Sequence, residues 1–167
     1  GGGFIFRGRR GPDESWEWLA PSGTLPVPPL PVLSAVELAR CRIEAGIPAI
    51  PGDLGSSDLP NEGGLEDVAI SYTKGCYLGQ EVMARLKAMG KVRRRLIQVR
   101  GLAEPNLTMP ADLYQGEKRV GELRSYVSDA TGGGIGLALL ALLSLDPGAA
   151  LSLSPDTAGT FKVVALP

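Results

Sequence analysis

The chain has 167 residues, a formal net charge of −1 and no histidine. It is long enough to bury roughly two-thirds of the surface its unfolded form exposes, as one large domain or two small ones. The charge balance excludes a generally basic nucleic-acid binder, so direct nucleic-acid binding is not expected. Without imidazole, Ser-His-Asp and Cys-His catalysis are excluded within one chain, and the two cysteines, Cys41 and Cys76, are too few for a four-ligand zinc or iron–sulfur site. No metal is expected to be held by this chain alone.

The opening "GGGFIFRGRR" lacks the continuous apolar stretch of a secretory signal. The longest apolar run, Ile135 to Leu145, is about half the length a bilayer requires. No membrane partner is expected. The cysteines lack the spacing of a disulfide framework and read as reduced thiols of a cytoplasmic protein.

In chain order, the aromatic and charged alternation of residues 4–19 predicts a strand pair around "GPDES". "PSGTLPVPPLP" (21–31) is too rich in proline for a helix and reads as an extended linker or rigid strap. Ser34 and Glu37 form an S-x-x-E capping box, and Gly46 and Pro48 supply stop signals, so a helix is predicted over 35–45. Residues 46–63 read as loop, and 64–70 as a short helix. A further helix starts around Gly79 and runs through "QEVMARLKAM" to Gly90. From Arg94 the texture changes. "RLIQVRGL", "KRVGELRSYVSD", "GIGLALLALL", "ALSLS" and "TFKVVALP" are short apolar or alternating runs separated by the turn-forming "AEPN", "YQGE", "TGGG" and "DPGAA". Five such segments predict a small closed or half-closed β-barrel. The division expected is therefore 1–93 and 94–167.

The stretch "KGCYLGQE" (74–81) concentrates chemistry. Gly75 and Gly79 suggest backbone conformations or close approaches that other residues resist. Cys76 precedes a helix, where free N–H groups and Lys74 would both favour the thiolate. Gln80 and Glu81 fall in the first helical turn, able to complement those N–H groups or a ligand edge, and Arg85 lies one turn beyond Glu81. The competing reading is a loop-to-helix junction with an inert cysteine, which chemistry alone favours. In "RIEAG" (42–46), Glu44 stands at the electrostatically wrong end of a helix and calls for a partner: Arg42, a neighbouring segment or a ligand. A solvated charged tail is the plainer alternative. The basic "KAMGKVRRR" (87–95) suits salt bridges between domains or a solvated face better than phosphate contact. "TGGGIG" (131–136) lacks phosphate-loop spacing and reads as a barrel turn.

Taken together, "RIEAGIP", "LPNEGGLEDVAIS", "KGCYLGQEVMAR" and "GKVRRRL" resemble the YgfZ-type folate-binding family, relatives of the aminomethyltransferase (T-protein) of the glycine cleavage system. The resemblance is strong over about 40–96 and weaker in the tail. It implies an α+β fold: a partial T-protein-like (ferredoxin-like) α/β region followed by a small C-terminal antiparallel β-barrel. It further implies tetrahydrofolate binding and a role in iron–sulfur cluster assembly or repair, and thereby in tRNA modification. Partners would be iron–sulfur proteins or cluster assembly factors. By the resemblance Cys76, with Lys74, is the catalytic pair. Arg42, Glu44, Tyr77, Gly79, Gln80, Glu81 and Arg85 are the candidate folate contacts. Nothing before residue 32 matches the family's N-terminal half, which carries much of the folate cavity, so the chain reads either as a fragment or as a shortened homologue whose pocket a second chain or dimer would complete. The alternatives are a tetrahydrofolate-dependent aminomethyltransferase and a non-catalytic protein-binding module.

Overall fold

The structure, a computed structural model, describes residues 3–9, 11–23, 30–90, 92–102 and 107–164. The centre of the proline-rich strap (24–29), the turn "AEPN" (103–106) and the end of the last predicted strand (165–167) lie outside the described residues.

The fold is α+β. The predicted strand pair exists as β1 (Phe4–Gly8) and β2 (Ser15–Leu19), antiparallel, with Ile5 opposite Trp18 and Arg7 opposite Trp16. Helix α1 (Ala35–Glu44) follows with the capping box formed: the Ser34 N–H donates to Glu37 Oε2 at 2.7 Å and the Glu37 N–H to Ser34 Oγ at 3.2 Å. The hydrogen bond from the Ser34 backbone lowers the Glu37 pKa below its ordinary value. A 3₁₀ turn at Pro60–Gly63, a one-turn helix α2 (Glu66–Ala69) and α3 (Gln80–Met89) complete the helical part. The loop predicted over 46–63 thus ends in helical backbone.

The second half is one curled antiparallel sheet in the order β4-β5-β6-β3-β7, built from β3 (Arg94–Gly101), β4 (Ala111–Gln115), β5 (Lys118–Ser128), β6 (Gly134–Ala141) and β7 (Phe161–Val163). Two expectations need correction here. Strand β4 was not foreseen; "YQGE" was assigned wholly to a turn, yet Tyr114 and Gln115 pair with Arg119 and Lys118, and the turn is confined to Gly116 and Glu117. Conversely "ALSLS" forms no extended strand. Leu151 bridges to Phe161 and Ser152 to Tyr114, so two residues tie β7 back to β4.

Strand β6 is where the apolar pattern is continuous, and both of its faces are buried. Ala138 and Leu140 enter the main core with Ile97, Val99, Leu113, Val120, Leu123, Leu151 and Phe161. Ile135 and Leu137 face outward against Ile43 of α1. Gly121 is required where β5 crosses β6, because a Cβ there would collide with the Leu139 carbonyl oxygen. Gln98 of β3 fixes the end of α1, its Nε2 donating to the carbonyls of Ile43 (2.7 Å) and Glu44 (2.8 Å). Among the described residues no helix is long and apolar enough to cross a membrane.

Candidate functional site

The predicted site residues fall on two helices and on the loop that precedes the second. Arg42 and Glu44 ride on α1, which packs on β5 and β6; Gln80, Glu81 and Arg85 ride on α3, which packs extensively on no other element. Met83 is the buried anchor of α3.

In the motif loop, Cys76 is a free, exposed thiol. Leu78, two residues on, is fully exposed, so the tip of the loop stands clear of the protein. Gly79 has φ of 85°, a left-handed conformation that strains any side-chain-bearing residue, and it is the N-cap of α3. Gly75 has neither a positive φ nor a neighbour near its Cβ position, so the special role expected of it is not seen. The Tyr77 carbonyl accepts from the Gln80 N–H at 3.2 Å. A turn thus separates Cys76 from the helix, and that N–H is spent on the turn instead of facing the thiol. Lys74 is directed to an aromatic face: its Nζ lies 4.7 Å from the centroid of the Tyr77 ring. Glu81 and Arg85 pair with each other at 3.6 Å on the exposed side of α3.

At the end of α1 the two candidate residues diverge. Arg42 turns inward, where Nη1 pairs with Asp53 Oδ2 and donates to the Ile47 carbonyl at 2.8 Å. Asp53 is completely buried, and the same Oδ2 accepts from the Ala49 N–H at 2.8 Å. Glu44 is exposed, with no ion pair among the described residues. Sequence reasoning missed Asp53; its only signal was an acid in the turn-rich "PGDLG" downstream of an arginine.

Two residues of the basic run, Arg94 and Arg95, form ion pairs. Arg94 Nε and Nη2 hold Glu62 at 2.8 and 2.9 Å, Arg94 Nη2 also reaches Asp58 at 3.2 Å, and Arg95 holds Glu66 at 2.8 Å. The hydrogen bonds to Glu62 raise the Arg94 pKa further above its usual value. Burial pushes the Glu66 carboxyl up, but the hydrogen bonds and charge of Arg95 prevail and leave it below its ordinary value. Asp58 and Glu62 were also missed, though three acids in "GDLGSSDLPNE" are the natural complement of the later "RRR".

Three clefts flank these elements. One of about 410 Å³ runs between Glu66, Ile70, Tyr72, Leu86, Lys87 and Arg95, with Lys87 Nζ 4.1 Å from the Tyr72 ring centroid. Two more, of about 320 and 420 Å³, lie on either side of the segment Ile47–Ile50, below the end of α1. Among the described residues no group of three or more His, Cys, Asp or Glu side chains is arranged to hold a metal ion.

No protein-family model matches the chain. Its similarity to known proteins is nevertheless broad. A chloroplastic protein of Arabidopsis thaliana is 31% identical over 152 residues, covering 89% of this chain and 33% of its own length. The tRNA-modifying protein YgfZ of Edwardsiella ictaluri is 40% identical over 109 residues, 62% of this chain and 32% of that protein. The chain is related to the YgfZ-type family. The human mitochondrial iron–sulfur cluster assembly factor is also similar, 40% identical over 87 residues, 49% of this chain and 23% of its own length. This YgfZ-related chain thus spans a third or less of the length of each of these relatives.

Proposed function

We propose that the chain serves as an accessory protein in iron–sulfur cluster assembly or repair, and through that in tRNA modification, with Cys76 as the thiol that meets a client's cluster. The names of the YgfZ and human relatives support the setting. The observation that carries the reading is the exposure of Cys76 at the tip of a loop that Gly79 forces into shape. A thiol kept for packing would be buried, since free cysteine ordinarily behaves as a small apolar residue. One thiol cannot hold a cluster, so contact is shared with a client, an assembly factor or a second copy. The cluster is cargo on this reading, and the setting is cytoplasmic.

Tetrahydrofolate belongs to the proposal as a cofactor, and the residues fit it in part. The exposed Glu44 carboxylate, without an ion pair among the described residues, suits the amino-pyrimidine edge of a pterin, which presents two N–H donors. Arg42 does not suit the carboxylate end, because its guanidinium is already held by Asp53 and the Ile47 carbonyl. The motif residues Tyr77, Gln80, Glu81 and Arg85 are assigned here to the approach of the client. The T-protein-like arrangement and the 1–93 and 94–167 division belong to the same proposal, as does completion of the pocket by a second chain.

The test replaces the native copy of the protein with Cys76→Ser in cells and measures tRNA methylthiolation by mass spectrometry, alongside an iron–sulfur enzyme activity. Both should fall to the level of cells without the protein. Wild-type modification in the variant at equal protein abundance would overturn the reading.

A further inference from the structure

The β1–β2 ribbon is apolar on both of its faces. Its register sets Phe4 opposite Leu19 and Phe6 opposite Glu17 on one face, and Ile5 opposite Trp18 and Arg7 opposite Trp16 on the other. The large apolar side chains of both faces are open to water, from 46% at Phe6 to 73% at Phe4. Neither strand packs extensively on another element among the described residues, and the turn end rests near α1, with Gly11 against Cys41. An antiparallel strand with one wet face alternates apolar and polar residues, so a ribbon apolar on both faces has the pattern of a covered one. Two strands alone are also marginal in water without a layer against them. The same molecule carries a matching recess at the foot of the ribbon. The cleft of about 420 Å³ is walled by Ala35, Leu38 and Ala39 of α1 and by Ile50, with Arg9, the residue after β1, and Arg42 as its charged members and no acid. Leu38 and Ile50 are themselves exposed there.

We propose that two copies of the chain exchange arms, the ribbon of each lying in the α1 cleft of the other. The case for a second copy rests first on area. Aromatic side chains bury about 150–250 Å² each, so Phe4, Phe6, Trp16 and Trp18 at their observed exposures offer roughly 450 Å². Ile5 and Leu19, with Leu38 and Ile50 of the cleft, bring the apolar surface to roughly 700 Å². That is more than the largest apolar patch of an ordinary monomer and close to the ~800 Å² each partner gives a standard interface. The second argument is closure. Ribbon and cleft belong to one molecule, so the contact is reciprocal, and its two halves close about a two-fold axis without propagating further.

Trp16 and Trp18 are the only tryptophans of the chain, so its tryptophan emission reads the ribbon alone. The experiment follows the full chain through one dilution series by sedimentation equilibrium and by that emission. A monomer–dimer equilibrium is expected, with emission moving to shorter wavelength over the same concentrations as the dimer forms. Trp18→Glu in the ribbon and Leu38→Glu in the cleft, both at exposed positions, should each weaken association by about a hundredfold, with circular dichroism unchanged. Mixed in equal amounts, the two variants should recover part of the loss, because the intact ribbon of one then meets the intact cleft of the other. A mixture that associates no better than either variant alone overturns the exchange. So does a monomer at every concentration, a dimer whose emission does not move, or assembly that grows past two copies. Emission that shifts on vesicles of anionic lipid, with no self-association in their absence, overturns it in favour of a membrane surface.

Discussion

Arg42 and Asp53 form a pair in which the carboxylate is wholly buried and the guanidinium only slightly exposed. The pair ties the last turn of α1 to the loop that follows it, eleven residues on. Its value lies less in attraction than in what breaking it leaves behind, since an uncompensated interior charge is far more costly than a solvated one. Asp53 Oδ1 already lacks a hydrogen-bond partner among the described residues, so nothing else stands ready to take over.

Arg42→Ala should therefore destabilise the protein by about 3–5 kcal/mol. Asp53→Asn should cost less, because the amide keeps an oxygen acceptor and carries no charge. Urea unfolding of the two variants checks the order. A loss for Arg42→Ala within experimental error would show that the pair carries no structural weight.

The Glu66–Arg95 pair predicts a pH dependence. Glu66 has a folded pKa below its unfolded value of 4.5, so its contribution to stability is fully present above that value. It is lost as pH falls through the lower folded pKa. Glu66→Gln should flatten the acid limb of the stability profile below about pH 4.5 while leaving its slope near neutrality unchanged. Equilibrium unfolding at a series of pH values gives the comparison, and an unchanged acid limb would refute the coupling.

The two motif glycines should behave differently. Gly79→Ala must hold a Cβ at φ of 85°, which costs about 1–2 kcal/mol and falls on the start of α3. Gly75→Ala meets open space and ordinary backbone, and should be close to neutral. Amide exchange through α3 is the sensitive readout; equal protection in both variants would contradict this account of the loop.

Thiol accessibility separates the two cysteines. Cys76 is exposed and Cys41 half-buried, with Gly11 against its Cβ. In the native protein an aromatic disulfide reagent should modify one thiol promptly and the second only slowly, and Cys76→Ser should remove the prompt phase. Two thiols reacting at the same rate would mean that the loop tip is not the privileged position described above.

Where local chemistry sufficed, the sequence announced the structure. The capping box at Ser34 and Glu37, the glycines closing α3 and the apolar run of β6 each state their element in a few consecutive residues. Strand β4 did not, because "ADLYQ" is short, half-polar and abuts a turn, and its identity comes from pairing with β5. The same distinction holds at the site. The reach of Cys76 into solvent follows from a local turn, and the resemblance pointed to it. The allegiance of Arg42 was hidden, since its partner is a single aspartate whose burial depends on how the loop over 46–63 folds back.

Residues 151–152, by bridging β7 to β4, lace together the two margins of the curled sheet. What they withhold there remains on offer elsewhere: the β1–β2 ribbon carries Phe4, Ile5, Trp16 and Leu19 open to water. At high protein concentration the first contacts between molecules should consequently form through that greasy arm and not through the barrel wall, which makes the arm the place to introduce charge when a well-behaved sample is wanted.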